Sequence, residues 1–135
     1  MEFTTNAVIA ENNLTEQAVK NLKVICDTHS YLLYKASGYR QLAISKNELQ
    51  FVGLDPKSQA HQLLVQYIVK TTKNTSIALK NKGEKHPENE KFAFKIWLVR
   101  MGWKGKETTK ERQSLYQNRS KAPSFSYGDE RAPLK

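Results

Sequence analysis

The sequence predicts an α+β fold in which a small antiparallel β-meander packs against three or four helices. Three segments carry apolar residues at helical spacing, and several short β-prone runs are separated by turn residues. A chain of 135 residues corresponds to one typical domain with one core. Because the stretch from Ser120 onward has no apolar periodicity, we expect a single domain over 1–119 and a polar, mobile tail over 120–135.

The first helix is predicted to begin with a capping-box pattern and to end near Tyr31. Asn13 supplies the cap, and Glu16 follows three residues later. Three short β-prone runs come next, and the turn residues between them favour a three-stranded antiparallel meander. These runs are YLLYKA at 31–36, RQLAIS at 40–45 and ELQFVGL at 48–54.

The second helix is predicted to open with Asp55 as its cap and Pro56 at its first helical position. Beyond it, SIAL at 76–79 is a candidate fourth strand, and the Lys, Asn, Gly and Pro run that follows is typical of a loop. The apolar face of this helix consists of Leu63, Leu64, Tyr67 and Ile68.

A third helix is predicted after Pro87, and it is apolar nearly all round, which favours burial. Arg100 lies one turn before a glycine break, so its side chain either extends past the helix end or points into a site. Phe92, Ile96, Val99 and Trp103 form one apolar stripe, and Phe94, Leu98 and Met101 form another.

A helix, a glycine turn and a second helix are predicted in succession at the end of the domain. Gly102 and Gly105 break the third helix, and Thr108 with Glu111 has the capping-box spacing that restarts one. The first turn of the new helix offers unpaired backbone N–H groups and a partial positive charge beside the lysines of the turn, Lys104 and Lys106. This arrangement is a natural anion site.

The charge of the chain is concentrated in one block. Residues 1–69 carry six basic and six acidic side chains, and 122–135 also sum to zero. Residues 70–121 carry fourteen Lys and Arg against five Glu, which accounts for the whole net charge of +9. Such a block favours polyanionic partners, and a solvated lysine-rich surface is the plainer interpretation.

Two phosphate-binding motifs can be compared with the glycine turn. Walker A does not fit, because its first glycine would fall on Arg100, and Lys106 is followed by Glu107 instead of a magnesium-binding Ser or Thr. The GXXG loop of RNA-binding KH modules matches the glycines and the basic spacer. The helix after a KH loop needs apolar residues where Thr108 and Glu111 stand, so a complete KH fold is not expected.

A longer pattern covers residues 89–125. It consists of NEKFAFKIWLVRMGWKGKE, then Arg112, Leu115, Asn118, Ser120 and Phe125. This pattern resembles the C-terminal region of a group of small uncharacterised proteins from phages and mobile elements of Gram-positive bacteria, often labelled virulence-related. It departs from them at Arg119 and Lys121, where they tend to carry an apolar residue and a glycine. The resemblance implies a phage or mobile-element origin and no established activity, and small accessory proteins of this kind typically act by binding.

The hypothesis from the sequence is a cytoplasmic, non-enzymatic protein of the bacterial host cell that binds nucleic acid or a phosphorylated nucleotide through the helix–turn–helix region. The alternative is a phage counter-defence protein that sequesters a nucleotide signal or inhibits a host protein. Aromatic and guanidinium groups would stack on bases and lysines would contact phosphate, although the tryptophans also suit a core. The candidate ligand-binding residues are Arg100, Trp103, Lys104, Lys106, Arg112, Tyr116, Asn118 and Arg119.

A small hydrolytic enzyme is the least favoured interpretation. EKHPENE at 84–90 gathers one His and three Glu, but metal sites need three or four convergent ligands, and no cofactor or metal is expected. Cys26 and His29 stand at helical spacing, yet Cys26 also fits the apolar face of the first helix.

The last helix is so polar that it suits an exposed arm, a ligand-facing surface or a homo-oligomer contact.

Overall fold

Five helices and three strands form the described part of the chain, which in this computed structural model comprises residues 6–81, 83 and 87–117. The α+β class is confirmed, and the elements share one hydrophobic core. Of residues 116 and 117 only the backbone is described, and the predicted tail lies outside the described residues. The elements are β1 (Ala7–Glu11), α1 (Glu16–Thr28), α2 (Ser30–Ser37), β2 (Gln41–Ile44), β3 (Glu48–Val52), α3 (Gln59–Lys73), α4 (Glu90–Arg100) and α5 (Thr109–Gln117).

The sheet is antiparallel with the strand order β1-β3-β2, so β3 lies in the centre. Val8 of β1 and Leu42 of β2 both lie opposite Phe51 of β3, which places the three side chains on one face. Val8 and Phe51 are buried and Leu42 packs against the core, so this face is covered by the helices. The predicted strands at 40–45 and 48–54 are confirmed as β2 and β3.

The predicted meander is wrong in its first strand, because YLLYKA belongs to α2. The run contains no β-branched residue, and Leu, Lys and Ala favour a helix. Gly38 ends α2 in the left-handed conformation, with φ of 82°, and its N–H donates to the carbonyl oxygen of Tyr34. The third strand comes instead from the start of the chain, where Ala7–Glu11 pairs with β3.

Several predicted boundaries shift because other side chains cap the helices. Thr15, not Asn13, caps α1, and its hydroxyl accepts from the N–H of Ala18 at 3.1 Å. Ser58 caps α3, so this helix begins later than the predicted start at Asp55. Residues 76–79 form no strand with the described residues. The buried Asn21 holds this segment instead, donating to the carbonyl oxygen of Ile77 at 2.8 Å and accepting from the N–H of Leu79 at 2.9 Å.

Candidate functional site

The helix α4 has one buried side and one exposed side. Its start follows from Asn89, whose side chain accepts from the N–H of Phe92 at 3.1 Å. On the opposite side from the core, Phe92 is 59% exposed and Val99 is 50% exposed. Burial, which the apolar pattern favoured, therefore does not extend to Phe92 and Val99 of one predicted stripe. The buried side consists of Phe94, Trp97, Leu98 and, just beyond the helix, Met101.

Cations flank the exposed apolar stripe of α4 on both sides. With about 100° of rotation per residue, Lys91 and Lys95 lie along one flank of the line from Phe92 to Val99, and Arg100 lies on the other flank. All three cationic side chains are exposed. The exposed side of α4 thus presents a narrow apolar stripe between two positively charged borders.

A pocket of about 310 Å³ opens beside this stripe, between α4 and the junction of α1 with α2. Phe92 and Arg100 line it on the α4 side, and His29 and Trp97 form a stacked pair in its wall, with ring centroids 3.9 Å apart and planes 3° apart. The Nδ1 atom of His29 lies 2.9 Å from the carbonyl oxygen of Ile25. Because a carbonyl oxygen can only accept, Nδ1 carries the hydrogen. Arg100 therefore lies at a pocket whose wall is aromatic.

The glycine turn after α4 is anchored in the core by Trp103. Gly102 and Gly105 adopt the left-handed conformation, with φ of 91° and 113°, which lets the chain reverse between the helices. Trp103 is 0% exposed, and its ring stacks on Tyr67 with centroids 5.2 Å apart. Trp103 is thus a core residue, as the alternative interpretation of the tryptophans expected, and a ligand contact by its ring stays a prediction.

A hydrogen-bonded cluster closes the turn. The Thr108 hydroxyl accepts from Trp103 Nε1 at 3.0 Å and from Arg112 Nη1 at 2.9 Å, while Arg112 Nη2 donates to the carbonyl oxygen of Gly105 at 2.6 Å. Two donors occupy both lone pairs of the hydroxyl oxygen, so it cannot also cap the N–H of Glu111. The predicted capping box is therefore not formed. The guanidinium of Arg112 holds the turn, and a ligand contact by this residue stays a prediction.

Of the remaining candidate residues, two are exposed on the turn and the other three lie wholly or partly outside the described residues. Lys104 and Lys106 are exposed on the turn, and their contact with phosphate stays a prediction. The side chain of Tyr116 and the whole of Asn118 and Arg119 lie outside the described residues. We call the exposed side chains of α4 and the turn, together with the half-buried Ile96, the α4–turn surface. It consists of Lys91, Phe92, Lys95, Ile96, Val99, Arg100, Lys104 and Lys106.

Sequence reasoning missed Lys91, Lys95 and Phe92 as site residues. Their signal was present, because residues four apart share one side of a helix, as Lys91 and Lys95 do. Charge also favours this region. Residues 91–117 carry seven basic side chains and two acidic ones.

The Cys26 thiol is buried and unsuited to nucleophilic chemistry. Burial raises the pKa of Cys26 to about 12, and a smaller effect of Asp27 adds to it, while the hydrogen bond with Tyr39 acts in the opposite direction. Burial also raises the pKa of Tyr39 above its ordinary range, and the adjacent Cys26 contributes. Because the thiolate is the reactive form, such a thiol is inert near neutral pH.

Within residues 6–81, 83 and 87–117, no three His, Cys, Asp or Glu side chains converge to hold a metal ion. His86 and Glu84 of the candidate cluster at 84–90 lie outside the described residues. None of the helices described is long and apolar enough to cross a bilayer.

Comparison of the chain with protein-family models, with curated proteins and with solved structures finds no match. The resemblance of residues 89–125 to phage and mobile-element proteins therefore stays a prediction.

Proposed function

We propose that this protein is a non-enzymatic binding protein, of phage or mobile-element origin, that binds single-stranded nucleic acid on the α4–turn surface. One observation carries the proposal: the exposed side chains of Phe92 and Val99 lie between two exposed lysines, Lys91 and Lys95, on one flank of the helix and Arg100 on the other. Proteins that bind single strands without sequence preference combine these two features, since cations follow the phosphates and aromatic faces stack on bases.

The distribution of charge supports a strand over a single nucleotide. The cations extend along α4, which is about 16 Å long, and continue through the turn to Lys104 and Lys106. A single nucleotide would contact few of these cations, whereas the phosphates of a strand would contact most of them. The pocket beside Phe92, with Arg100 at its edge, suits an unstacked base whose phosphate contacts the guanidinium.

A second candidate is inhibition of a host protein, as in phage counter-defence. The exposed stripe of Phe92 and Val99 favours it, because apolar side chains surrounded by polar ones often mark protein interfaces. In that case, substitution of Phe92 would weaken the protein partner's binding, and nucleic acid would bind weakly or not at all.

The test is fluorescence anisotropy of a labelled single-stranded oligonucleotide of mixed sequence, titrated at physiological ionic strength. We expect the double variant Lys104→Glu/Lys106→Glu to bind at least about tenfold more weakly than the wild type, because two attractive charges become repulsive. Both side chains are exposed, so folding should be unaffected.

The matched control is Lys46→Glu/Lys57→Glu. These two lysines are also exposed, but they lie outside the basic block, at the β2–β3 turn and before α3. The control changes the net charge by the same amount. Equal loss of affinity in both double variants would reduce the effect to overall charge and contradict a site on the α4–turn surface.

A further inference from the structure

We infer that the outer edge of β1, with the groove between β1 and α3, is a docking site for an extended acidic peptide segment of a partner protein. This surface shares no residue with the α4–turn surface, so the inference does not depend on nucleic-acid binding. Three observations carry it: the direction of the backbone groups of β1, the groove beside them, and the charge at one end of that groove.

The backbone of β1 presents hydrogen-bonding groups at an edge of the sheet. Gly53 N–H donates to the carbonyl oxygen of Asn6 at 2.7 Å, and Asn12 N–H donates to that of Asn47 at 3.0 Å. Along a strand of an antiparallel pair, the backbone N–H and C=O groups of successive residues point to opposite edges. The backbone groups of the even-numbered residues of β1 therefore point toward β3. The N–H and C=O groups of Ala7, Ile9 and Glu11 therefore point away from the sheet. The sheet order leaves this side unpaired by any described strand.

A groove runs along this edge. Two adjoining pockets, of about 400 and 410 Å³, lie between β1 and α3 and share Ala10, Val65 and Gln66. Ala7 to Ala10 line the first pocket as consecutive residues, and Val69 extends the apolar wall in the second. The five residues of β1 span about 17 Å, so the groove can hold an extended segment of similar length.

The chemistry of the groove specifies its occupant. An unpaired strand edge is satisfied by another strand, and pockets for alternate side chains beside it supply selectivity. Val65 and Val69 favour apolar side chains on the peptide. At one end, Lys70 and Lys73 outnumber Glu11, and all three are exposed, so the peptide should carry an acidic side chain there.

Amide hydrogen exchange by NMR tests the edge directly in the full-length chain. The N–H groups of Ala7, Ile9 and Glu11 should exchange quickly in the protein alone, while those of Val8 and Ala10, which face β3, should be protected. If Ala7, Ile9 and Glu11 are already protected without a peptide, the chain itself covers this edge and the inference fails.

The probe is a random peptide library displayed on phage and selected against the full-length protein. We expect selection of peptides with alternate apolar residues and an acidic residue, and the best of them should protect Ile9 and Glu11 from exchange. N-methylation at alternate positions of the peptide should abolish binding, because it removes the donors that pair strands. Failure to select any peptide, or protection confined to other residues, overturns the inference.

Variants of Ile9 separate the backbone from the side chain. Ile9→Pro removes the outward N–H, and proline is tolerated in edge strands where that N–H faces away from the sheet. It should weaken peptide binding at least about tenfold, whereas Ile9→Thr, which keeps the N–H, should have a much smaller effect. Equal binding by Ile9→Pro and the wild type overturns the inference. If Ile9→Pro does not fold, the N-methylated peptide gives the same comparison.

Discussion

Among single residues, Thr108 lies at the centre of the hydrogen bonds that close the glycine turn. Its hydroxyl is the acceptor for both the indole N–H of Trp103 and the guanidinium of Arg112. Trp103 is fully buried, so water cannot replace this partner without opening the core. The conformation of the turn that carries Lys104 and Lys106 therefore depends on a hydroxyl that accepts two hydrogen bonds from the protein's own side chains.

The Thr108→Val variant tests that dependence. Valine matches threonine in shape but cannot accept a hydrogen bond, so the buried indole N–H loses its partner. We expect the free energy of unfolding to fall by about 1–3 kcal/mol, measured by urea denaturation. Thr108→Ser keeps the acceptor and should retain most of the stability. A loss in Thr108→Ser with none in Thr108→Val would show that the methyl group, not the hydroxyl, matters.

Cys26 makes a prediction about pH. Its thiol has an ordinary pKa of 9.0, and burial raises the pKa of Cys26 in the folded protein to about 12. Above pH 9.0 the unfolded thiol loses its proton while the folded one keeps it, so the free energy of unfolding should fall as pH rises. The contribution of one such group is up to about 1.4 kcal/mol for each pH unit.

The fall in the free energy of unfolding is measured by urea denaturation at one pH below 9.0 and at several pH values between 9.0 and about 12. Cys26→Ala should show a shallower loss of stability than the wild type, because alanine does not ionise. Iodoacetamide should leave the folded thiol unmodified at neutral pH and modify it in urea. Rapid alkylation of the folded protein would contradict the burial that raises the pKa of Cys26.

Among the elements, α4 contributes most of the residues of the α4–turn surface. Its pattern is apolar nearly all round, and the side that faces the core is set by tertiary contacts such as the stacking of Trp97 on His29. The sequence therefore predicted the helix and its start after Pro87, but it could not show that Phe92 and Val99 lie outside and Trp103 inside. The lysines, Arg100 and the apolar stripe were all visible in the sequence, whereas the exposure of Phe92 and Val99 was not.

Phe92→Ala tests the stacking contribution of α4. If a base stacks on this ring, truncation should cost about 1–3 kcal/mol of binding free energy for single-stranded oligonucleotide. Ile77→Ala is the control, since Ile77 is also exposed but lies outside the α4–turn surface. Stability should change little in either variant. Unchanged affinity in Phe92→Ala would show that the stripe is not in contact with the bases.

The sheet shows where prediction from local pattern ended. The hairpin of β2 and β3 was predicted because its strands are adjacent in the chain and joined by a short turn. The strand β1 was missed because its partner β3 lies about forty residues further on, beyond any local signal. The strand predicted at 31–36 is a helix in the structure, because a short apolar run does not distinguish a buried helix from a buried strand.

For the whole molecule, the positive charge is concentrated in one part of the sequence, and part of it lies on one surface of the structure. The sequence placed the entire positive excess in residues 70–121, and the structure exposes the part of it on α4 and the turn. The α+β class also followed from the sequence. In the described geometry Trp103 and Arg112 hold the shape of the turn, and a ligand contact by either residue stays a prediction.

Nucleic-acid binding on the α4–turn surface is tested most directly by the salt dependence of the affinity for a single-stranded oligonucleotide. A plot of log K against log salt should be steep, and each phosphate contact removed should reduce its slope by about 0.7. Lys104→Ala/Lys106→Ala should therefore lower the slope by about 1.4, while Lys46→Ala/Lys57→Ala should leave it unchanged. A slope near zero in the wild type, or the same slope in both double variants, would contradict the proposed function.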